Sequence, residues 1–308
     1  MKVFLTGATG VLGRPTVRRL VTAGHEVRAL ARSDKNEGLL NRLGAIPVRT
    51  DLFDRGALER AIPGTEAVLH LATKIPPFKE ATKRESWDEN IRIRSEGTRL
   101  LVDVALATGV RSFIYPSITF LYPDGGDRWI DADTPIDPVS GLQSAVDAEE
   151  EVARFTRSGG RGLTLRMGAF YSPEAQNIVD TLEAARKGFA LMIGAGDAYW
   201  PQIWVDDAAE AVVVALLRAP AGVYDVVDDE PLTRDELKHL IARAAGRKRL
   251  VSPPTLAVRV VAGKDAMFAA RSQRVSNKKF KEATGWSPTM RSAREGWEQI
   301  MTLAVARP

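Results

Sequence analysis

Lys2-Val3-Phe4-Leu5-Thr6-Gly7-Ala8-Thr9-Gly10-Val11-Leu12-Gly13 is where the chain commits to an architecture. A short apolar run passes directly into glycines at 7, 10 and 13, and the residues beyond keep a helical period through Val17, Leu20, Val21 and Gly24. Glycines so placed give a tight turn, an approach to a pyrophosphate free of side chains, and close packing of helix on strand. The helix N-terminus then faces the anion. A glycine turn can also serve packing alone. Placed straight after the first strand and at the head of an amphipathic helix, this triplet predicts dinucleotide binding. Gly7, Thr9, Gly10, Val11, Leu12 and Gly13 are therefore the first candidate cofactor-binding residues.

Outward from this turn, strand-like and helix-like segments alternate. Strands are expected over 2–5, 27–31, 46–49, 67–70, 112–115 and 162–166, and helices over 12–23, 37–43, 56–61, 87–108 and 145–156. Such alternation predicts an α/β fold, a Rossmann-like doubly wound parallel sheet covered on both faces. After Arg166 the rhythm breaks. Helices are expected over 175–187, 208–217, 233–245, 256–270, 276–283 and 292–303, with a strand at 222–227. The expected organisation is a dinucleotide-binding domain over 1–170, to which 200–227 returns, and a smaller, mainly helical C-terminal substrate lobe over 171–308.

Composition narrows the chemistry. The 308 residues are 44% hydrophobic and 27% charged, a globular balance. The absence of cysteine excludes disulfides, a thiolate nucleophile and thiolate-bound metals. His25, His70 and His239 are too few and scattered for a metal site. The N-terminus does not read as a signal peptide, and the longest apolar run, 211–217, falls short of the roughly 20 residues that span a bilayer. A cytoplasmic protein without membrane contact is expected. Lys/Arg exceed Asp/Glu by 43 to 39, with twelve of the cations over 238–281 against Asp265 alone. This block reads either as solvated helix faces or as an attraction for an anionic substrate. It lacks the interleaved aromatics that nucleic-acid binding would use.

The spacing Gly-x-x-Gly-x-x-Gly, together with matches along nearly the whole chain, resembles the extended short-chain dehydrogenase/reductase family, in its NAD(P)-dependent epimerase/dehydratase branch. Thr50-Asp51-Leu52 resembles the pair of residues that contacts adenine, and His70-Leu71-Ala72 the segment beside the cofactor ribose. Ser112-Phe113-Ile114-Tyr115 with the downstream Leu121-Tyr122 resembles strand 5, the stretch from Leu165 through Met167 to Pro173 resembles the one after strand 6, and Trp204-Val205-Asp206-Asp207 resembles a segment of the second half. The resemblance implies that Asp51, Leu52, Leu71, Ala72, Thr73, Lys74 and Met167 also line the cofactor. It further implies a homodimer through the helices over 87–108 and 145–156.

The second strand ends at Arg32, followed by Ser33 and Lys35, groups that suit a 2′-phosphate where an acidic residue would repel it. NADP(H) is therefore favoured, while Asp34 leaves NAD(H) open. The family normally works through Tyr-x-x-x-Lys plus a Ser or Thr, the lysine lowering the tyrosine's pKa. Four residues after Tyr115, Tyr122, Tyr171, Tyr199 and Tyr224 stand Thr119, Gly126, Ala175, Ile203 and Asp228, so no such pair exists in this sequence. The family's tyrosine and lysine fall on Gly141 and Ala145, and its Ser/Thr on Ile118.

Three residues are candidates for the missing roles: Ser117 at the end of strand 5, Lys74 beyond strand 4, and Tyr122, whose family counterpart is usually structural. Lys74 reads equally as a surface lysine, His70 as a neutral packed ring, and Arg166 as structural. Three functions fit: an oxidoreductase using noncanonical hydride and proton chemistry on a small molecule, a redox-neutral isomerase or lyase on the same fold, and a noncatalytic NADP(H) sensor.

Overall fold

The computed structural model describes residues 1–77, 80–254, 260 and 264–305. Seven strands form one parallel sheet: β1 (Lys2–Thr6), β2 (Glu26–Ala31), β3 (Ile46–Arg49), β4 (Ala67–His70), β5 (Ser112–Ile118), β6 (Arg161–Met167) and β7 (Gly222–Val226). Their spatial order is β7-β6-β5-β4-β1-β2-β3. Val3, Phe4 and Leu5 of central β1 have no exposed surface, because helices cover both faces of the sheet. Ile46 and Pro47 lie on edge strand β3, where a proline removes no ladder bond that the sheet needs. The order reverses between β1 and β4, and in such sheets ligands bind in the crevice at that reversal. The expected Rossmann-like doubly wound fold is thus present.

One face of the sheet is covered by α1 (Gly13–Thr22), α2 (Asp34–Arg42) at the β2–β3 edge, and a later helix, Val205–Arg218; the other by α3 (Arg55–Ala61), α4 (Asp88–Arg92), α5 (Thr98–Ala107) and α6 (Gln143–Arg157). Helix starts follow their caps. Ser33 accepts from Asn36 N–H, so α2 begins at Asp34, three residues ahead of the expected 37. The helix expected over 87–108 is one path broken by a π-turn, Ile93–Gly97, between α4 and α5. β5 runs three residues past its expected end, to Ile118.

The chain leaves the sheet after Met167 and returns with β7. Around this excursion lie α7 (Gln176–Arg186), α8 (Val205–Arg218), α9 (Arg234–Ala244), α10 (Lys278–Thr284) and α11 (Ala293–Val305). Tyr171, Trp204, Leu237, Ile241, Trp297 and Ile300 build a separate lobe core, against which Val11 of the glycine turn packs. The glycine turn therefore lies against the lobe. Of the helix expected over 256–270, residues 255–259 and 261–263 lie outside the described residues, and Lys264–Ala270 is a 3-10 helix. Among the described residues no helix is long and apolar enough to cross a membrane.

Candidate functional site

The three glycines have different physical reasons. Gly7 has φ +74°, and a Cβ there would stand 2.5 Å from the backbone of Leu71 and Ala72 at the end of β4. A Cβ at Gly13 would stand 2.1 Å from the carbonyl oxygen of Gly7, so α1 could not lie this close to β1. At Gly10 the nearest neighbour of a Cβ is Gly7 O at 3.2 Å, and the other side is open. α1 carries no side-chain cap and no acidic residue in its first turn, which leaves the positive end of its dipole uncompensated. Such a cradle fits a diphosphate. Leu12 and Gly13 are buried, while Thr9 and Val11 are half-buried beside the turn.

At the tip of β2, exposed Arg32 donates to Glu89 Oε1 at 3.3 Å, and Lys74 Nζ binds the other oxygen of the same carboxylate. The bond from Lys74, then that from Arg32, hold the Glu89 carboxyl below its ordinary range. Asn90 Oδ1 accepts from the Thr73 hydroxyl at 2.7 Å and the Lys74 amide at 3.0 Å, fixing the segment that leaves β4. Asp51 accepts from the Phe53 amide at 2.8 Å in an exposed turn, and buried Leu52 packs under Gly97. Leu71 is buried, Ala72 is half-buried against Gly7, and Met167 is sealed in the main core.

Tyr115, Ser117 and Thr119 alternate along the face of β5 beneath α5 and α6. All three are buried, and none of their hydroxyls has a hydrogen-bond partner. His70 also lies beneath the crevice. Its Nε2 donates to Ile93 O at 3.3 Å and its Nδ1 accepts from Thr6 at 2.6 Å. Burial pushes its pKa down to about 4, so the ring is neutral. Ile118 and Ala145, where the resemblance places a hydroxyl and a lysine, belong to one apolar cluster with Leu121 and Leu142. Phe120, directly beyond β5, stacks with Trp200 at 4.8 Å and with Phe268 at 5.4 Å, and all three rings are partly exposed.

The expectation that Tyr122 touches substrate is corrected here. Its ring has no exposed surface, its hydroxyl donates to Asp225 Oδ1 at 2.8 Å, and it accepts from Arg166 at 2.9 Å. Burial, then the Asp225 charge, raises its pKa above that of an ordinary phenol. Arg166 binds Glu149 through two nitrogens, at 3.1 and 2.7 Å, and ties α6 to β6 as a structural residue. Five cations of the basic block over 238–281 are engaged by neighbours: Lys238, Arg271, Lys279 and Lys281 each bind a carboxylate, and Arg247 the carbonyl of Arg186.

Residues 3–226 match the model of the NAD dependent epimerase/dehydratase family. The chain belongs to that family. It is 31% identical over 311 residues to a 3-diazoavenalumate denitrifying reductase from a Streptomyces species, covering 96% of this chain and 99% of the relative. A 2-alkyl-3-oxoalkanoate reductase from Stenotrophomonas maltophilia is 28% identical over 265 residues, 81% of this chain and 77% of its own. Among solved structures, a dTDP-glucose 4,6-dehydratase from Streptomyces venezuelae with NAD bound superposes with TM-score 0.81 at 19% identity, covering 100% of this chain and 98% of that one. A human epimerase family protein with NADPH gives 0.76 at 21%, covering 98% and 99%. Epimerase/dehydratase membership bears out the expected family, fold and enzyme class: an oxidoreductase-like chain that uses a nicotinamide cofactor.

Glu89, Asn90 and Arg94 were not candidates from the sequence. The signal was there in part. Asn90, Ile93, Arg94, Gly97, Thr98 and Leu101 recur at helical spacing, and all are buried, which puts one arginine on an otherwise inward-facing stripe.

Proposed function

We propose that this chain is an NADP(H)-dependent reductase of a small, largely apolar, aromatic molecule, and that it works without the family's tyrosine–lysine pair. One observation carries this: Ile118 and Phe120 at the end of β5 gather with Phe268 and Trp200 into an apolar cluster that includes Ala145, where the resemblance would put polar catalytic groups. Partly exposed rings at the mouth of a cleft suit flat apolar ligands. The two reductases named above, which lie nearer in sequence than the sugar-nucleotide enzymes, support the same direction.

The turn from Gly7 to Gly13 holds the diphosphate through backbone amides, Asp51 and Leu52 flank the adenine, and Leu71, Ala72 and Thr73 border the ribose. Arg32, exchanging Glu89 for a 2′-phosphate, sets the preference for NADP(H). When bound, the nicotinamide supplies the hydride. The protein's share is alignment and exclusion of water, worth several powers of ten when geometry is good. Without a tuned phenol the proton comes from water, with Lys74 beyond β4 and Ser117 near the end of β5 as the candidate polar side chains. Loss of a general acid slows such a reaction ~10²- to 10⁴-fold without forbidding it.

NADPH absorbance followed against a panel of aromatic aldehydes, ketones and diazo compounds tests this. NADPH consumption faster than NADH consumption is the expected result. Tight NADPH binding with no turnover across the panel would instead mark a noncatalytic sensor.

A further inference from the structure

Around the crevice, cations are paired with carboxylates: Arg32 and Lys74 with Glu89, Arg14 with Glu174, Arg166 with Glu149. Among the described residues, exposed Lys35 at the tip of β2 has no such partner, and neither has Arg94, which is buried. Arg94 is 7% exposed, and among the described residues its guanidinium makes no hydrogen bond or ion pair. None of its nitrogens is a sealed atom without a partner, so the head of this otherwise buried side chain keeps contact with solvent, where an anion can reach it. Arg94 sits on the π-turn Ile93–Gly97, a kind of insertion that recurs at functional sites. Burial lowers the pKa of His70 and raises that of Tyr115, and the charge of Arg94 acts on both as a smaller influence, which places it near His70 at the end of β4 and Tyr115 on β5. Thr98, one turn on, and Tyr115, Ser117 and Thr119 add four buried hydroxyls without partners. The π-turn also packs on α6, the helix that carries Ala145 where the family has lysine.

We propose that Arg94 is a free cation of the site: its guanidinium takes an oxyanion of the bound ligand at the β4–β5 end of the crevice, in place of the lysine absent at 145. The oxyanion is either the diphosphate of the dinucleotide or an acidic group on the substrate. This assignment rests on the nicotinamide-binding reading of the cleft and extends it to a residue outside the glycine turn.

Thermal melting and NADPH fluorescence titration of the full chain, as wild type, Arg94→Met and Arg94→Lys, test it. Removing a cation that no protein group pairs leaves the melting temperature of ligand-free Arg94→Met level or higher, whereas removing a structural arginine would lower it. If the diphosphate is the partner, NADPH binds Arg94→Met on the order of 10- to 100-fold more weakly, inorganic pyrophosphate no longer stabilises it, and Arg94→Lys recovers part of both. If the substrate carries the anion, NADPH affinity is unchanged, and benzoate or phosphate stabilises NADP⁺-saturated wild type but not Arg94→Met. A lower melting temperature with every ligand response intact overturns the assignment. Should wild type bind neither NADPH nor NADH, the cofactor reading fails separately, and pyrophosphate stabilisation of wild type against Arg94→Met still decides the role of Arg94.

Discussion

Arg32 and Lys74 converge on the two oxygens of Glu89, and a 2′-phosphate entering that corner has to compete with this carboxylate. Arg32 is more than half exposed, so the pair it would give up is worth little, about 0.2–1 kcal/mol. Glu89→Gln should therefore tighten NADPH binding by roughly 2- to 5-fold and leave NADH unaffected, as fluorescence titration of both would read. Equal effects on the two dinucleotides would place the 2′-phosphate elsewhere. Asp225 titrates differently. Burial pushes its pKa up to about 8, above the ordinary value near 3.9 that it regains on unfolding. Between those values the folded state holds a proton that the unfolded state has lost, so stability from this site falls as pH rises from about 4 to 8 and is level above. Asp225→Asn, which can still accept from Tyr122, should raise the melting temperature more at pH 8 than at pH 5; an equal change at both would contradict the buried, proton-holding carboxyl. Arg32 could be read from the sequence as a strand-tip cation. Its attachment to Glu89 could not, because the partner lies 57 residues away, on a helix whose rotation only packing fixes.

In the glycine turn, the physical reason for each residue separates stability from binding. Gly13→Ala forces a methyl to 2.1 Å from Gly7 O and should cost at least about 2 kcal/mol in denaturant unfolding. Gly10→Ala meets one atom at 3.2 Å and should keep its melting temperature while losing NADPH affinity, because its open side is the one a diphosphate would use. Comparable destabilisation by both substitutions would mean that the turn serves packing alone. The motif itself was plain in the sequence, since strand, triplet and amphipathic helix fix one another. The π-turn was not. Ile93–Gly97 carries the same apolar period as an uninterrupted helix, and only tertiary packing chooses the wider turn. β5 likewise runs on to Ile118 because its pairing with β6 continues through Ser117↔Arg166 and Ile118↔Met167, a long-range ladder that no local pattern encodes.

Across the whole molecule, the chain leaves the sheet after Met167 and returns to it with β7. Val11 packs on the lobe core, and Phe120 meets Trp200 and Phe268. Alternation of strands and helices made the sheet legible over the first 170 residues. The lobe's short strand pairs, such as Ala169–Tyr171 with Gln202–Trp204, carry no such rhythm, and the aromatic trio is assembled from three distant segments. If these rings bind substrate, Phe120→Ala should raise KM for an aromatic substrate roughly 2- to 10-fold with little change in kcat; a fall in kcat alone would remove the ring from substrate binding. We also propose that two chains associate through α5 and α6, for which sedimentation equilibrium should give twice the chain mass. The most direct test of the central claim is a crystal structure with NADP⁺ bound. The expected complex has the dinucleotide across Gly7–Gly13, its 2′-phosphate on Arg32, and its nicotinamide facing Ile118 and Phe120 with no tyrosine hydroxyl in hydrogen-bond reach of the reacting carbon's substrate face. A dinucleotide bound elsewhere, or a tyrosine–lysine couple beside the ring, would contradict it.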